Sequence, residues 1–217
     1  MIIKVCGVRT AAVAEAAVDA GVDWLGLVLV PGSPRHADDA TARAVVDAVG
    51  GRVDLVGVMV APTVSDCDDA ARRYRLAAVQ VHGVADESLA GLCSVPVIRA
   101  INVTDRRQAL TESWWPDGLV LLDGAPATAA GLPGGTGTRV DEDTAAAIAR
   151  HRRVILAGGL SAVNVASAIA AVRPHGVDAS SGLESAPGVK DPAQVVGFVR
   201  AARAAFAGDG VARGSAA

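Results

Sequence analysis

Residues 155–191 read ILAGGLSAVNVASAIAAVRPHGVDASSGLESAPGVKD. Two short apolar runs bear on this stretch, and a turn of small residues follows each at once. Val154-Ile155-Leu156 leads into Ala157-Gly158-Gly159-Leu160, and Gly176-Val177-Asp178 leads into Ala179-Ser180-Ser181-Gly182. Between them Val163, Val165, Ala166, Ile169 and Val172 recur at roughly helical spacing, with Ser161 as the expected N-cap and Pro174 as the stop. The order is strand, turn, helix, strand, turn. In a barrel of alternating strands and helices, the turns after the last two strands commonly hold a phosphate through backbone N–H groups and the partial positive charge of a helix start.

The same alternation runs back to the first residues. Runs rich in Val, Ile and Leu predict strands at Ile2–Val5, Trp24–Val30, Leu55–Val60, Ala77–Val81, Val97–Ile101, Leu119–Leu122, Val154–Leu156 and Gly176–Val177. Helical patterns follow at Thr10–Ala20, Asp38–Val49, Val64–Tyr74, Asp86–Leu92, Asp105–Glu112, Glu142–Arg150, Ser161–Val172 and Pro192–Ala205. Strict alternation of this kind predicts an α/β fold, a single-domain (β/α)8 TIM barrel over residues 1–207. An open doubly wound sheet fits less well, because its dinucleotide fingerprint is missing. The tail from Gly208 is small and polar and is expected to be disordered.

Composition narrows the class. A chain of 217 residues, 51% hydrophobic, suffices for one substantial core and is short for two. A net charge of −3 supplies no basic field for nucleic acid. No apolar run reaches the roughly 20 residues of a membrane span, and the first residues lack the pattern of a signal peptide, so a soluble cytoplasmic protein is expected. Cys6, Cys67 and Cys93 form no CxxC pair, which argues against a disulfide framework and a structural zinc. With only 3% aromatic residues, the core must be assembled from small and branched side chains, as in parallel sheets covered by helices.

In such a barrel the chemistry sits in the loops that leave the strand C-termini, so only those positions need be read. They carry Cys6 before Gly7, Arg35 after Ser33-Pro34, His82 before Gly83, and Asp123 before a long loop ending Gly134-Gly135-Thr136-Gly137. Each has a bland alternative. A cysteine is usually packing, an aspartate at a strand end often caps its loop, and a histidine before glycine is often a satisfied loop residue. Cys67 and Cys93 lie in or beside helical segments and are expected to pack. Trp114 and Trp115 precede Pro116 and suit packing or an interface. The glycine run at residues 134–137 is weak alone and gains weight from the two similar turns after the next two strands.

Taken together, KVCG at Lys4–Gly7, SPR at Ser33–Arg35, VGV at Val56–Val58, VQVHG at Val79–Gly83, LLD at Leu121–Asp123, PGGTG at Pro133–Gly137, LAGGL at Leu156–Leu160, NV at Asn164–Val165 and GVDASSGLESAPGVKD at Gly176–Asp191 resemble phosphoribosylanthranilate isomerase. This is the tryptophan-pathway enzyme with a single eight-stranded barrel. The resemblance implies that Cys6 is a general base and Asp123 a general acid. It also implies that Gly135, Gly158, Gly159, Ser180, Ser181 and Gly182 hold the substrate's phosphate, and that Arg35, His82 and Glu184 contact the remainder. The implied reaction is an Amadori rearrangement of N-(5-phosphoribosyl)anthranilate, which needs no cofactor and no metal. The implied partner is that phosphorylated sugar–anthranilate substrate, not nucleic acid or membrane, and the chain is left as a monomer or homodimer.

The chain departs from the family at Arg9, where threonine is common and Thr10 follows one place later. It departs also in the alanine-rich loop after Asp123, and at Val58–Pro62, where phenylalanine and asparagine are frequent. A histidine-pathway isomerase of similar fold is the neighbouring alternative, but it resembles an aspartate at both catalytic positions, and here the first is Cys6. A barrel that binds a phosphate ligand without turnover is a further alternative, against which the retention of both Cys6 and Asp123 counts.

Overall fold

The structure, a computed structural model, describes residues 1–83, 88–103, 118–124 and 140–214, the last six of these by backbone alone. Strands β1 (Ile2–Cys6), β2 (Trp24–Val28), β3 (Asp54–Val60), β4 (Ala78–His82), β5 (Val97–Asn102), β6 (Val120–Asp123), β7 (Val154–Leu156) and β8 (Gly176–Ala179) pair in parallel in chain order, and β8 returns to β1 to close a barrel. Helices α1 (Ala11–Asp19), α2 (Asp39–Val49), α3 (Val64–Tyr74), α4 (Ser88–Leu92), α5 (Glu142–Ala149), α6 (Val165–Val172) and α7 (Pro192–Gly214) intervene. After β8 a short 3-10 turn, Ser181–Leu183, precedes an antiparallel pair, β9 (Glu184–Ala186) and β10 (Val189–Lys190).

Period-two alternation gives the barrel two distinct cores. Ile3, Val5, Leu25, Leu27, Val79, Val81, Val120 and Leu122 belong to the larger cluster, which they share with Phe198, Val172 and other helix residues outside the barrel. Val56, Ala78, Ile98, Leu121, Ile155 and Ala157 form a second cluster that fills the interior. Higher still, Cys6, Val28 and Val58 make a small third cluster. Small aliphatic side chains therefore plug the lower barrel, and the upper end is left for polar groups.

Local chemistry explains most boundaries. Asp38 caps α2 by accepting from Thr41 N at 2.8 Å, and Gly50 closes it with φ +58°. Thr63 and Asp66 make a reciprocal capping box at α3. Thr10, the threonine displaced by one place, accepts from Val13 N as the N-cap of α1. Most boundaries fall within two residues of the sequence expectation, and a few of the differences have a visible cause. The helix after β7 starts at Val165 and not at Ser161, because Asn164 Oδ1 accepts from Ser161 N at 2.8 Å and holds residues 161–164 as a turn. Strand β2 stops at Val28, where the returning loop forms an isolated bridge through His36. Helix α7 runs on to Gly214 from an alanine-rich run that favours helix, past Ala205 and into the stretch expected to be disordered. The expected helix Asp105–Glu112, Trp114, Trp115 and the glycine run at residues 134–137 lie outside the described residues. Among the described residues no helix is long and apolar enough to cross a membrane.

Candidate active site

On β1, Ile3 and Val5 face the helices, so Lys4 and Cys6 face the barrel axis. Cys6 stands opposite Gly26 in the β1–β2 register. Asp123 ends β6 and is 7% exposed. Cys6 and Asp123 line one cavity at the C-terminal mouth of the barrel, together with Arg35, His82, Gly158, Gly159, Ser180 and Ser181. Strands β7 and β8 separate β6 from β1, so thiol and carboxyl enter the cavity from different sides. Val28, Val30, Val58 and Val60 supply an apolar wall.

The two turns after β7 and β8 lie against each other. Gly158 and Gly159 take φ values of +88° and +62°, which side-chain-bearing residues rarely adopt. Asn164 braces this turn by donating from Nδ2 to Gly159 O at 2.9 Å. A Cβ on Gly182 would meet the carbonyl oxygen of Leu160 at 2.2 Å, so the close contact of the two turns requires glycine there. Gly182 thus fixes the approach of the two turns without lining the cavity. Ser180 Oγ donates to Cys6 O at 3.1 Å and ties the second turn to the end of β1. Gly135 lies outside the described residues.

Glu184 is placed behind Arg35, outside the cavity lining. Its carboxylate accepts from Arg35 Nε and Nη2 at 2.7 and 2.8 Å, from Lys190 Nζ at 2.5 Å and from Gly188 N at 3.1 Å. Burial alone would raise its pKa, but the bonds from Arg35 and Lys190 hold it at about 2. Arg35 is therefore presented in a fixed fork by the β9–β10 strap, and Arg9 adds a bond to Pro34 O at 3.2 Å beside it.

His82 Nε2 lies 2.9 Å from Gln80 Nε2 on the same face of β4. Burial, reinforced by the positive charge of Lys4, lowers the His82 pKa to about 4, so its ring is neutral near pH 7. Cys6 is pushed above the ordinary thiol value, chiefly by burial, while Lys4 and Lys190 oppose that rise and Asp178 adds to it. Cys67, by contrast, lies on the buried face of α3 and is pushed up to about 12 by burial and by Cys93, which suits packing alone.

Four residues of the site carry no signal in a search of loop positions: Lys4, Gln80, Asp178 and Lys190. Lys4 is fully buried, and its Nζ lies 2.8 Å from Asp178 Oδ2, across the register that pairs these two residues. Strand periodicity could have found three of them, since Lys4, Gln80 and Asp178 each stand two places before Cys6, His82 and Ser180 and share their inward face. Among the described residues, the buried side-chain atoms without a partner are Gln80 Oε1 and Asp178 Oδ1, and both residues line the cavity. No cluster of three or more His, Cys, Asp or Glu side chains among the described residues could hold a metal ion.

Comparison with known proteins converges on one family. The family model for N-(5'-phosphoribosyl)anthranilate (PRA) isomerase matches residues 3–201. The N-(5'-phosphoribosyl)anthranilate isomerase of Myxococcus xanthus is 43% identical over 207 residues, covering 93% of this chain and 95% of the relative. That of Paracoccus denitrificans is 38% identical over 210 residues, covering 93% and 97%. Among solved structures, phosphoribosyl anthranilate isomerase from Thermotoga maritima matches with a TM-score of 0.81 at 32% identity, covering 94% of this chain and 100% of that one. A phosphoribosyl anthranilate isomerase in complex with reduced 1-(o-carboxyphenylamino)-1-deoxyribulose 5-phosphate matches with a TM-score of 0.78 at 30% identity, covering the same shares.

Proposed function

The chain belongs to the N-(5'-phosphoribosyl)anthranilate isomerase family, and from that premise we propose that it isomerises phosphoribosylanthranilate in tryptophan biosynthesis, with Asp123 as general acid and Cys6 as general base. The observation that carries the assignment is the joint lining of one cavity by the β1 thiol, the β6 carboxyl and the two glycine- and serine-bearing turns.

The reaction moves protons and changes no oxidation state overall. Asp123, in its acid form, gives a proton to the furanose oxygen, and the ring opens to an imine. Cys6, as thiolate, then removes the proton on carbon 2, and the resulting enol amine relaxes to the aminoketose. Burial makes the Cys6 thiolate the stronger base, and a positioned acid or base of this kind contributes about 10²–10⁴-fold. Acid and base act on different atoms of the sugar, which agrees with their entry from separate strands.

The turns at Gly158–Gly159 and Ser180–Ser181 hold the substrate phosphate and fix the sugar's position, while the chemistry proceeds at the other end of the cavity. Arg35, locked by Glu184, meets the anthranilate carboxylate through its remaining donors. The free Gln80 Oε1 and Asp178 Oδ1 atoms supply acceptors for the sugar's donors, and the neutral His82 ring, whose Nε2 accepts from Gln80 Nε2, lines the same cavity. The substrate is thus a phosphorylated small molecule, and no metal or organic cofactor enters any step. The test is consumption of phosphoribosylanthranilate by the purified protein, followed by its fluorescence. Loss of the signal at a rate proportional to enzyme supports the assignment, and a rate equal to the blank overturns it.

A further inference from the structure

Lys4 is a lysine sealed inside the barrel at 0% exposure, below the mouth and two residues before Cys6 on the same face of β1. A buried ammonium with no partner would shed its proton. Here β8 supplies the partner: Asp178 stands opposite Lys4 in the register, and its Oδ2 accepts from Lys4 Nζ at 2.8 Å. Lys4 also stands two places from Cys6 on the same inward face of β1, close enough for the charge of one to act on the ionisation of the other. One cation thus serves both the Asp178 carboxyl, which burial pushes up and Lys4 pulls down, and the thiol that must ionise.

We propose that Lys4 and Asp178 form a charge pair that sets the proton affinity of Cys6, Lys4 stabilising the thiolate and Asp178 opposing it. The proposal rests on the assignment of Cys6 as the base, and both partners are positioning residues with respect to it. Burial by itself would carry the thiol out of reach of neutral pH, and Lys4 offsets part of that penalty by donating to the thiolate as it forms. Asp178 pairs with Lys4 while the thiol is protonated, yet it limits the effect, because its carboxylate remains near the sulfur; without it the Cys6 thiolate itself becomes the partner that keeps Lys4 charged. The arrangement leaves a base that is strong when ionised and still accessible. Burial works against the Lys4 charge, but Asp178 and Cys6 together hold its pKa above the ordinary lysine value, which agrees with a cation permanently present.

The other charged and titratable groups around Cys6 do not replace this pair. From β4 comes His82, which is neutral near pH 7, and from β6 comes Asp123 across the cavity. From the loop after β2 comes Arg35, which is committed to Glu184, and from β10 comes Lys190, which is bonded to the same carboxylate at 2.5 Å. β2 contributes only Gly26 opposite the sulfur.

The experiment is the pH dependence of Cys6 alkylation by iodoacetamide in the ligand-free protein, with Cys6 resolved from Cys67 and Cys93 by peptide mass spectrometry. The two partners should act with opposite sign. Lys4→Met is expected to raise the midpoint by about one pH unit or more, a tenfold fall in thiolate below the midpoint. Asp178→Asn is expected to lower the midpoint. General loosening of the barrel would move both variants the same way, and that result, or two midpoints within about 0.2 unit of wild type, overturns the proposal. Should Lys4→Met fail to fold with a buried unpaired Asp178, Asp178→Asn and the double variant Lys4→Met, Asp178→Asn decide it. The double variant should then lie above Asp178→Asn, and the reverse order overturns the proposal. These midpoints need no substrate, so a wild-type protein without isomerase activity would sink the functional assignment and leave the charge pair to stand or fall separately.

Discussion

Cys6 and Gly26 face each other across β1 and β2, and a Cβ built on Gly26 would come to 2.8 Å from Cys6 Sγ and 3.0 Å from Cys6 Cα. The space for the thiol is made by a missing side chain. Gly26→Ala should therefore displace Cys6, costing about 1–3 kcal/mol of stability and at least about tenfold in kcat, because a small misplacement of a reacting group is expensive. Thermal unfolding and steady-state kinetics measure both, and an unchanged kcat would show that Cys6 does not need this geometry.

Removing either reacting group should be far more damaging to turnover than to binding. Cys6→Ser and Asp123→Asn are each expected to lower kcat by about 10³-fold, while affinity for a product analogue, measured by titration calorimetry, changes little. Two variants with wild-type turnover would mean that the acid and base lie elsewhere.

Glu184 should act through Arg35 and through acid stability. In the folded protein its pKa is about 2, below the usual glutamate value of 4.5, so its contribution is complete above about pH 4.5 and is lost as the pH falls toward about 2. That contribution is at most about 3 kcal/mol. Glu184→Gln should lower the Tm most near pH 7, and the gap to wild type should close on descending through this window. The same variant should raise KM more than it lowers kcat, since Arg35 loses its clamp. A Tm gap that is constant between pH 7 and pH 2.5 contradicts the linkage.

Gly182→Ala tests the phosphate seat. The added Cβ would sit 2.2 Å from Leu160 O, a backbone atom that cannot swing aside. The two turns must separate, so KM should rise by about tenfold or more, which corresponds to about 1.4 kcal/mol of lost binding. Inorganic phosphate should also become a weaker competitor. Equal inhibition of wild type and variant by phosphate would detach these turns from anion binding.

His82 should remain neutral throughout the working range. Its resonance in an NMR titration is expected to move with a midpoint of about 4, and not near the ordinary histidine value of 6.5. A midpoint near 6.5 would mean that the ring is reached by solvent and that the mouth is wetter than its burial indicates.

The barrel was largely readable in the linear chain, because strand and helix periods repeat locally and turn residues punctuate them. Helix α3 was placed at Val64–Tyr74 by its pattern alone, and the structure agrees residue for residue. The start of α6 was not, since Asn164 Oδ1 accepts from Ser161 N and holds residues 161–164 as a turn. Cys6, Arg35, His82 and Asp123 were findable because strand ends in a barrel share one face. Glu184 could be named but not understood, as its hold on Arg35 spans 149 positions and depends on the strap folding back.

What the order of residues determined by itself is the alternating architecture, the short list of polar groups at the strand ends and the glycines that permit tight turns. These follow from periodicity and backbone freedom, which act over a few neighbouring residues. Only the closed barrel decided that Lys4 meets Asp178, that Gly26 makes room for Cys6 and that Gly182 rests on Leu160. Those contacts arise where β8 pairs with β1, where β1 pairs with β2 and where the turns after β7 and β8 meet, and no local pattern encodes which distant residue such pairing will bring alongside.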